Sequence, residues 1–403
     1  MVTTPRVNWV LFVLYSLVAI SMTVAALVSP AFRAQAPAPL RDVILPAPKP
    51  VILNVLYSTE KDAWLAEVVA AFEASQVLVD GHPVQVEMEK MGSREMVLAV
   101  LDGTNRPDII SPASMLQIAI LQDQSTAAFG APLVNMADEE LCPSVVTTPL
   151  VLVAWEERAQ ALWGNHPGED FWRDFQTALV DPAGWSAFGH PEWGYVKFGH
   201  TDPLRSNSGF MTILLMTYDF HDRTSGLSAA DITADPEYQS WFLDFERSIS
   251  QFEYSTGPLM EKMIAYGPST YDIAAVYEAT AIEQAENATG RYGDLRIYYP
   301  PVTVWSDHPF CILNADWVTP EKNQAARLFL DYLQSPEVQQ LALLRYGFRP
   351  TDPAIPLDQP GSPFNVYAPN GLQRDLSGLP SLQPTSGDVL NILLEFWSRN
   401  VAR

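Results

Sequence analysis

Cysteine is scarce in this chain: Cys142 and Cys311 are the only two in 403 residues. They form no CxxC and no zinc-type cluster, which removes thioredoxin-like redox chemistry and zinc-finger folds. An oxidising compartment allows them to pair; two separate buried thiols are the equal alternative. Basic residues are also short, 24 Lys and Arg against 47 Asp and Glu, a formal net charge of −23. Phosphate-backbone binding needs a basic face, so no nucleic-acid partner is expected. Enzyme signatures are missing too. There is no GxSxG elbow, no P-loop, no GxGxxG and no HExxH. A hydrolase is therefore the least favoured reading, and the chain is not expected to be an enzyme or to carry a cofactor. The six histidines, His82, His166, His190, His200, His221 and His308, include no pair at metal-ligand spacing. No metal site is assigned, although His200, Asp202 and His308 converging across a fold stay open as a metal-receptor alternative.

What is present is a sizeable core. Apolar residues make up 48% of the chain, and the length suits two or three domains or one two-lobed unit. From Trp9 to Val28 no residue is charged, and Arg6 precedes the run. This fits a membrane span or a long signal peptide. Ala34-Gln-Ala36 offers a cleavage pattern that would release a secreted body. Pro37 after the cut and the length of the run favour an uncleaved single-pass anchor instead. The positive-inside rule then puts Met1–Val7 in the cytoplasm and the body on the extracytoplasmic side of the cell membrane. Six prolines between Ser29 and Pro50 make a stiff spacer. Residues 1–29 are thus read as anchor or signal segment and 30–50 as linker.

Beyond the linker, Val51–Tyr57 reads as a buried strand, and Leu65, Val68, Val69 and Phe72 mark a helix. Val84–Met88 alternates like a strand, Ser93–Leu101 is a short helix, Pro107–Ile110 a third strand and Met115–Leu121 helical. This alternation argues for an α/β fold with a parallel sheet, whose ligands bind beyond the C-terminal strand ends. Ser58, Thr59, Ser111 and Ser114 fall there. Val145–Trp155 is strand-like despite Pro149. Trp155, Trp163, Trp172, Trp185 and Trp193 follow, read as separated by loops; rings of this kind serve a core or stack on sugars. Asp235-Pro-Glu starts a helix with inner face Phe242, Phe245 and Ile249. Ile273–Tyr277 reads as strand or buried helix, Phe310–Trp317 as a short strand, and Asp388–Asn400 as a last helix.

One stretch organises the rest. Lys197–Gly209 is polar and turn-rich, then Phe210, Ile213, Leu214 and Thr217 recur at helical spacing. Ser206, Asn207 and Ser208 crowd the helix start, where such residues cap free N–H groups. A helix start also receives oxygen-rich or anionic ligands.

Ala325–Gln339, ending in Tyr346-Gly-Phe-Arg-Pro350, resembles the closing segment of bacterial extracellular solute-binding proteins. The branch is similar to the molybdate/sulfate-type, type II periplasmic binding proteins that serve ABC transporters. Tyr57–Lys61, Gly199–Pro203 with Ser206–Gly209, and Asp307-His-Pro309 resemble a subgroup sometimes joined to von Willebrand factor A domains; this chain has no room for one. The resemblance implies a two-lobed type II periplasmic-binding-protein-like fold with two crossing hinge strands, here preceded by a transmembrane helix. Thr147–Val153 would cross outward and Phe310–Trp317 return. Lobe 1 would be 51–147 plus 310–403, and lobe 2 148–309. Implied cleft residues are Ser58, Thr59, Ser111, Ser114, Thr147, Thr148, Thr201, Asp202, Ser206, Asn207, Ser208, Tyr277 and Glu278. Cys142 and Cys311 would both lie near crossing strands, within reach of a disulfide.

The implied function is capture of a small solute, an oxyanion being one candidate, for an ABC permease. A membrane-anchored sensor or scaffold with a signalling partner is the alternative. The protein is expected to act as a monomer. Neutral donors such as Ser58, Thr59 and Ser111 suit an oxyanion. Asp202 and Glu278 suit a cation or sugar hydroxyls if they face the ligand; otherwise Asp202 caps a turn before Pro203 and Glu278 starts a helix.

Overall fold

The apolar run Val51–Tyr57 becomes β1, the central strand of the first sheet. The computed structural model describes residues 9–28, 48–164, 167–383 and 385–402. It separates into two units, residues 1–50 with 80–83, and residues 51–79 with 84–403. The first unit holds α1, Trp9–Val28, twenty residues without a charge. Ser16, Ser21 and Thr23 donate their hydroxyls to carbonyls of the same helix, so these polar groups are satisfied locally. Side chains of α1 are described at Trp9 and from Phe12 to Val24. Among the described residues no helix is long and apolar enough to cross a membrane. Met1–Val7, the linker prolines from Pro30 to Pro46 and the Ala34-Gln-Ala36 pattern lie outside the described residues.

Along the chain β1 is followed by a 3-10 turn at Thr59–Lys61, α2 (Asp62–Ala74), β2 (Leu78–Val79), β3 (His82–Lys90, in the second unit from Val84 on), α3 (Ser93–Leu101), β4 (Ile109–Ser111) and α4 (Met115–Phe129). β1 pairs in parallel with β3 and β4. Parallel neighbours need long crossovers, which α2 and α3 supply. The register sets Tyr57 opposite both Lys90 and Ser111. Three strand ends, and the loops after them, therefore open on one edge of the sheet.

The chain then leaves this sheet, and β5 (Val146–Trp155) becomes the spine of a second. After it come α5 (Glu156–Trp163), α6 (Phe171–Val180), β6 (Phe198–Gly199), α7 (Asn207–Phe220), α8 (Ala229–Thr233), α9 (Pro236–Ser248) and α10 (Thr256–Tyr266). Then follow β7 (Ile273–Tyr277), α11 (Glu278–Ala288), β8 (Leu295–Tyr298) and β9 (Trp305–Ser306). Pro149 is tolerated because pairing of β5 with β7 begins only at Leu150. No ladder donor is lost at the proline. The first half of β5 pairs with β9, and its second half with β7 and β8. α5 and α6 occupy ground read from sequence as loops between tryptophans. Trp155, Trp172 and Trp185 are fully buried, so these rings are core.

The chain returns to the first sheet as β10 (Cys311–Ile312), antiparallel to β4. α12 (Pro320–Leu333), α13 (Pro336–Tyr346), β11 (Arg349–Pro350), α14 (Pro363–Val366) and α15 (Gly387–Asn400) complete it. Two expectations need correction. The return crossing is not Phe310–Trp317: Trp305–Ser306 pairs with Thr148–Pro149, and Pro309 bridges Ser144. Strand geometry stops at Ile312, where the chain turns toward α12. Nor does all of 310–403 belong with the first sheet. Phe364, Leu372 and Leu376 pack in one core with Val151, Val153 and Val276 of the second sheet, because apolar surface on that face needs a cover. Cys142 and Cys311 form a disulfide that spans 169 positions and ties the segment before β5 to β10.

α7 differs from its sequence pattern. A single apolar face was expected, yet every residue from Asn207 to Tyr218 is buried. It is an interior helix, and its polar Thr212 and Thr217 satisfy themselves on carbonyls one turn back. Gly209 is required where it packs, since a Cβ there would collide with the Thr201 carbonyl.

Candidate functional site

A cleft of about 770 Å³ lies between the edge of the first sheet and helices of the second. One wall is the loop after β1, with Ser58, Thr59 and Glu60, and the segment Lys90–Ser93 after β3. The other wall is Arg205–Asn207 and the start of α10 at Ser255–Pro258, with Tyr254 beside it. Thr280 and Glu283 of α11 close one end. The parallel register of β1 and β3 is what brings the first wall together. Buried α7 holds the second.

Three helices begin at this cleft: α3 after Gly92, α7 after Ser206 and α10 after Ser255. None of the three is capped by the side chain of its own N-cap residue, although in α7 the Gly209 N–H is taken by Thr201 Oγ1. For α7 this corrects the expected capping by Ser206: its hydroxyl contacts Ser208 Oγ at 3.3 Å instead. First-turn N–H groups without side-chain caps are suited to a ligand's oxygen atoms.

The sequence-derived residues divide into three sets. Ser58, Thr59, Ser206 and Asn207 line the cleft. Asn207 is held from behind: its Nδ2 donates to Tyr277 Oη at 3.2 Å, and Gln117 Nε2 reaches its Oδ1 at 3.4 Å. Tyr277 is buried and faces a small recess beside the cleft. Burial pushes its phenol well above the ordinary range.

A second set supports the walls without lining them. Thr201 Oγ1 accepts from Gly209 N–H and contacts Ser208 Oγ, each at 2.8 Å. Ser208 Oγ also meets Thr256 Oγ1 at 2.8 Å, which joins the starts of α7 and α10. Ser114 caps α4 by accepting from Leu116 N–H. Thr148 Oγ1 accepts from Ala279 N–H in the first turn of α11. Thr147 of β5 pairs with Arg349 of β11. Ser111 is fully buried, and its Oγ has no hydrogen-bond partner.

The third set turns away. Asp202 Oδ1 accepts from Leu204 N–H at 2.8 Å, a turn cap. Glu278 is fully buried; Arg349 Nε and Nη2 each donate to it at 2.7 Å, and Tyr299 Oη adds a third bond at 2.5 Å. Neither carboxylate faces the cleft. His200 sits on Thr201 O and Glu246, and His308 on Lys61, so His200, Asp202 and His308 do not converge.

Lys61, behind Ser58, was not singled out in the sequence. It is fully buried, and its Nζ donates to Ser58 Oγ at 2.6 Å, Ser111 O at 3.1 Å and Pro112 O at 3.2 Å. His308 Nδ1 lies at 3.2 Å. Burial lowers the Lys61 ammonium to about 7 against a weaker pull from Glu60 and Asp307. Burial, then the Lys61 charge, holds His308 well below its usual range, so it is neutral. The same surroundings push the Asp307 carboxyl up, by burial, against bonds from Met115 N–H and Ser114. Sequence reading also missed Tyr254–Pro258. Its Ser-Thr-Gly-Pro was a legible helix-start signal.

Residues 53–349 match the family described as "Bacterial extracellular solute-binding protein". Comparison with curated proteins found no match. Among solved structures, the chain is similar to the periplasmic binding protein AfuA from Actinobacillus pleuropneumoniae, with exogenous fructose-6-phosphate bound. There the TM-score is 0.57 at 16% identity, covering 87% of this chain and 98% of that one. Iron-bound HitA from Pseudomonas aeruginosa gives 0.57 at 14%, with 88% and 100% covered. A Streptococcus pneumoniae solute-binding protein in complex with the blood group A-trisaccharide gives 0.56 at 13%, with 87% and 96% covered. At these identities the likeness is one of fold.

Proposed function

Because the chain belongs to the bacterial extracellular solute-binding proteins, we propose that it captures a small solute in this cleft and presents it to an ABC-type permease. The family is one of binding proteins, and we assign no reaction to the chain. The observation that carries the reading is the meeting of three helix starts, none capped by its own N-cap side chain, on one cleft between two sheets. Ser58, Thr59, Ser206 and Asn207 are the proposed ligand contacts. Lobe closure would hinge on β5 and the β9 segment that pairs with it. Lobe 1 would then be 51–147 with 310–350, and lobe 2 148–303 with the returning segment 351–382.

The solved structures of this fold hold a sugar phosphate, iron and a trisaccharide, so the fold leaves the ligand's chemistry to the side chains. Thermal-shift measurements on the full chain in mild detergent test capture directly. The panel is sulfate, molybdate, divalent metals, sugars, amino acids and polyamines. A ligand at about a hundred times its Kd adds about 2.7 kcal/mol, a rise of a few degrees. Asn207→Ala should remove that rise; the unliganded Tm should fall only by the few degrees that follow from leaving Tyr277 and Gln117 without this partner, so the ligand-induced shift is read against each variant's own unliganded Tm. No shift with any class, or a shift indifferent to Asn207→Ala, counts against the reading.

We further propose that α1 anchors the body on the extracytoplasmic face. The reading rests on the sequence of Trp9–Val28, twenty residues without a charge, which at about 1.5 Å each match the roughly 30 Å hydrocarbon layer. It does not rest on the described residues, among which no helix meets that requirement. The full-length chain should stay in the membrane pellet through an alkaline carbonate wash. Release as a protein shortened near Ala36 would replace the anchor with a cleaved signal.

A further inference from the structure

The charge of the cleft decides what kind of solute fits it. Five carboxylates line it, Glu60, Asp62, Glu95, Glu261 and Glu283, against two cations, Lys90 and Arg205. Lys90 is spent on Asp62 at 2.7 Å, and the Arg205 side chain is 72% exposed at the rim. The three helix starts offset part of the remaining negative charge, at about half an elementary charge each. That is too little to reverse the sign. A naked oxyanion would enter a field that opposes it.

The carboxylates are also spread out. Among the described residues no three His, Cys, Asp or Glu side chains lie close enough to hold one metal ion. Glu60 and Glu283 flank a recess of about 30 Å³ walled by Tyr277, Tyr346 and Phe348. Acid beside aromatic rings is a setting for an ammonium group, through charge and cation–π attraction. Glu60 Oε2 is buried there with no hydrogen-bond partner, which a donor from a ligand would satisfy. Glu95, in the first turn of α3, lines the cleft but not this recess. Burial, with the nearby Glu261, pushes the Glu283 carboxyl up, and an incoming positive charge would relieve that repulsion.

We propose that the cleft selects an elongated organic cation with spaced amino groups, a polyamine-like solute, with one ammonium in the recess between Glu60 and Glu283. The proposal rests on the solute-capture reading and adds its ligand class. The negative charge of the chain as a whole favours the approach of such a ligand.

Isothermal titration of the full chain in mild detergent with spermidine, sulfate and maltotriose tests it. Spermidine should bind, and binding should weaken at least tenfold on raising NaCl from about 20 to about 500 mM. Glu60→Gln with Glu283→Gln should weaken it a further tenfold or more, with the circular dichroism spectrum unchanged. Asp331→Asn, a charge loss at an exposed position of α12, should leave it unaltered. If the double variant fails to fold, the salt dependence and the three-ligand comparison still decide the matter. Sulfate or maltotriose binding without spermidine overturns the cationic assignment and leaves solute capture standing. Silence from all three counts against both.

Discussion

Lys61 occupies a position where an ammonium group is costly. It has no solvent exposure, and its partners are a hydroxyl, two carbonyls and a neutral imidazole. Burial is the dominant influence, and it lowers the folded-state value to about 7 from an ordinary 10.5. Below pH 7 the lysine is protonated in both folded and unfolded chains, so it contributes no pH dependence. Between about 7 and 10.5 the unfolded chain alone keeps the proton, and stability rises with pH. Wild type should therefore gain Tm relative to Lys61→Met as pH is raised from about 7 to about 9.5. A constant difference between the two would show that the Lys61 charge is not opposed by its site. The lysine also joins Ser58 in the cleft wall to His308 beyond the return crossing. None of this was legible in Ser58-Thr-Glu-Lys-Asp62, which reads as an ordinary polar turn. Burial of Lys61 comes from Ser111, Pro112 and His308, which are distant in sequence.

At the scale of elements, the cleft is made by helix starts rather than by whole helices. The N-cap of α3 and the segment before α7 approach closely at Gly92, where an added Cβ would lie 2.7 Å from the Arg205 carbonyl oxygen. The Gly92 backbone is compatible with alanine, at φ −58° and ψ 142°, so the clash is with the opposite wall and not with its own chain. Gly92→Ala is expected to prop the walls apart. Spermidine affinity should fall at least tenfold and Tm by a few degrees, the N-cap change itself counting for roughly a kcal/mol or less and displacement of the Arg205 carbonyl for the rest. Affinity equal to wild type would mean that the two walls need not approach this closely. Elsewhere, Glu278 and Arg349 join the start of α11 to β11, and Arg349 also donates to the carbonyls of Gln373 and Arg374. Removing one partner of such a buried pair costs about 3–5 kcal/mol. A carboxylate that sequence placed among ligand contacts is a structural fastening between elements.

The molecule as a whole combines an acidic body, a disulfide and an N-terminal apolar helix. The disulfide fits an oxidising compartment, in line with an extracellular family. A closed loop of this length removes on the order of 5 kcal/mol of entropy from the unfolded chain in the chain-entropy account. The amino-acid sequence by itself determined the α/β class, the strand-and-helix alternation of the first sheet, the apolar run at Trp9–Val28 and the start of α7. These depend on local periodicity and local turn chemistry, which adjacent residues express. It also determined the family, through the closing segment at Ala325–Pro350.

Only the tertiary structure decided which polar residues line the cleft. Asn207 and Ser208 are neighbours in one helix turn, yet the first lines the cleft and the second bonds to Thr201 and Thr256. Asp202 and Glu278 read as candidate contacts and are a turn cap and half of a buried ion pair. Glu60 and Glu283, 223 positions apart by their numbers, meet at one recess. The physical reason is that a cleft between two sheets is a long-range object. Its chemistry depends on which side chains the crossing strands bring face to face, and no local pattern encodes that pairing.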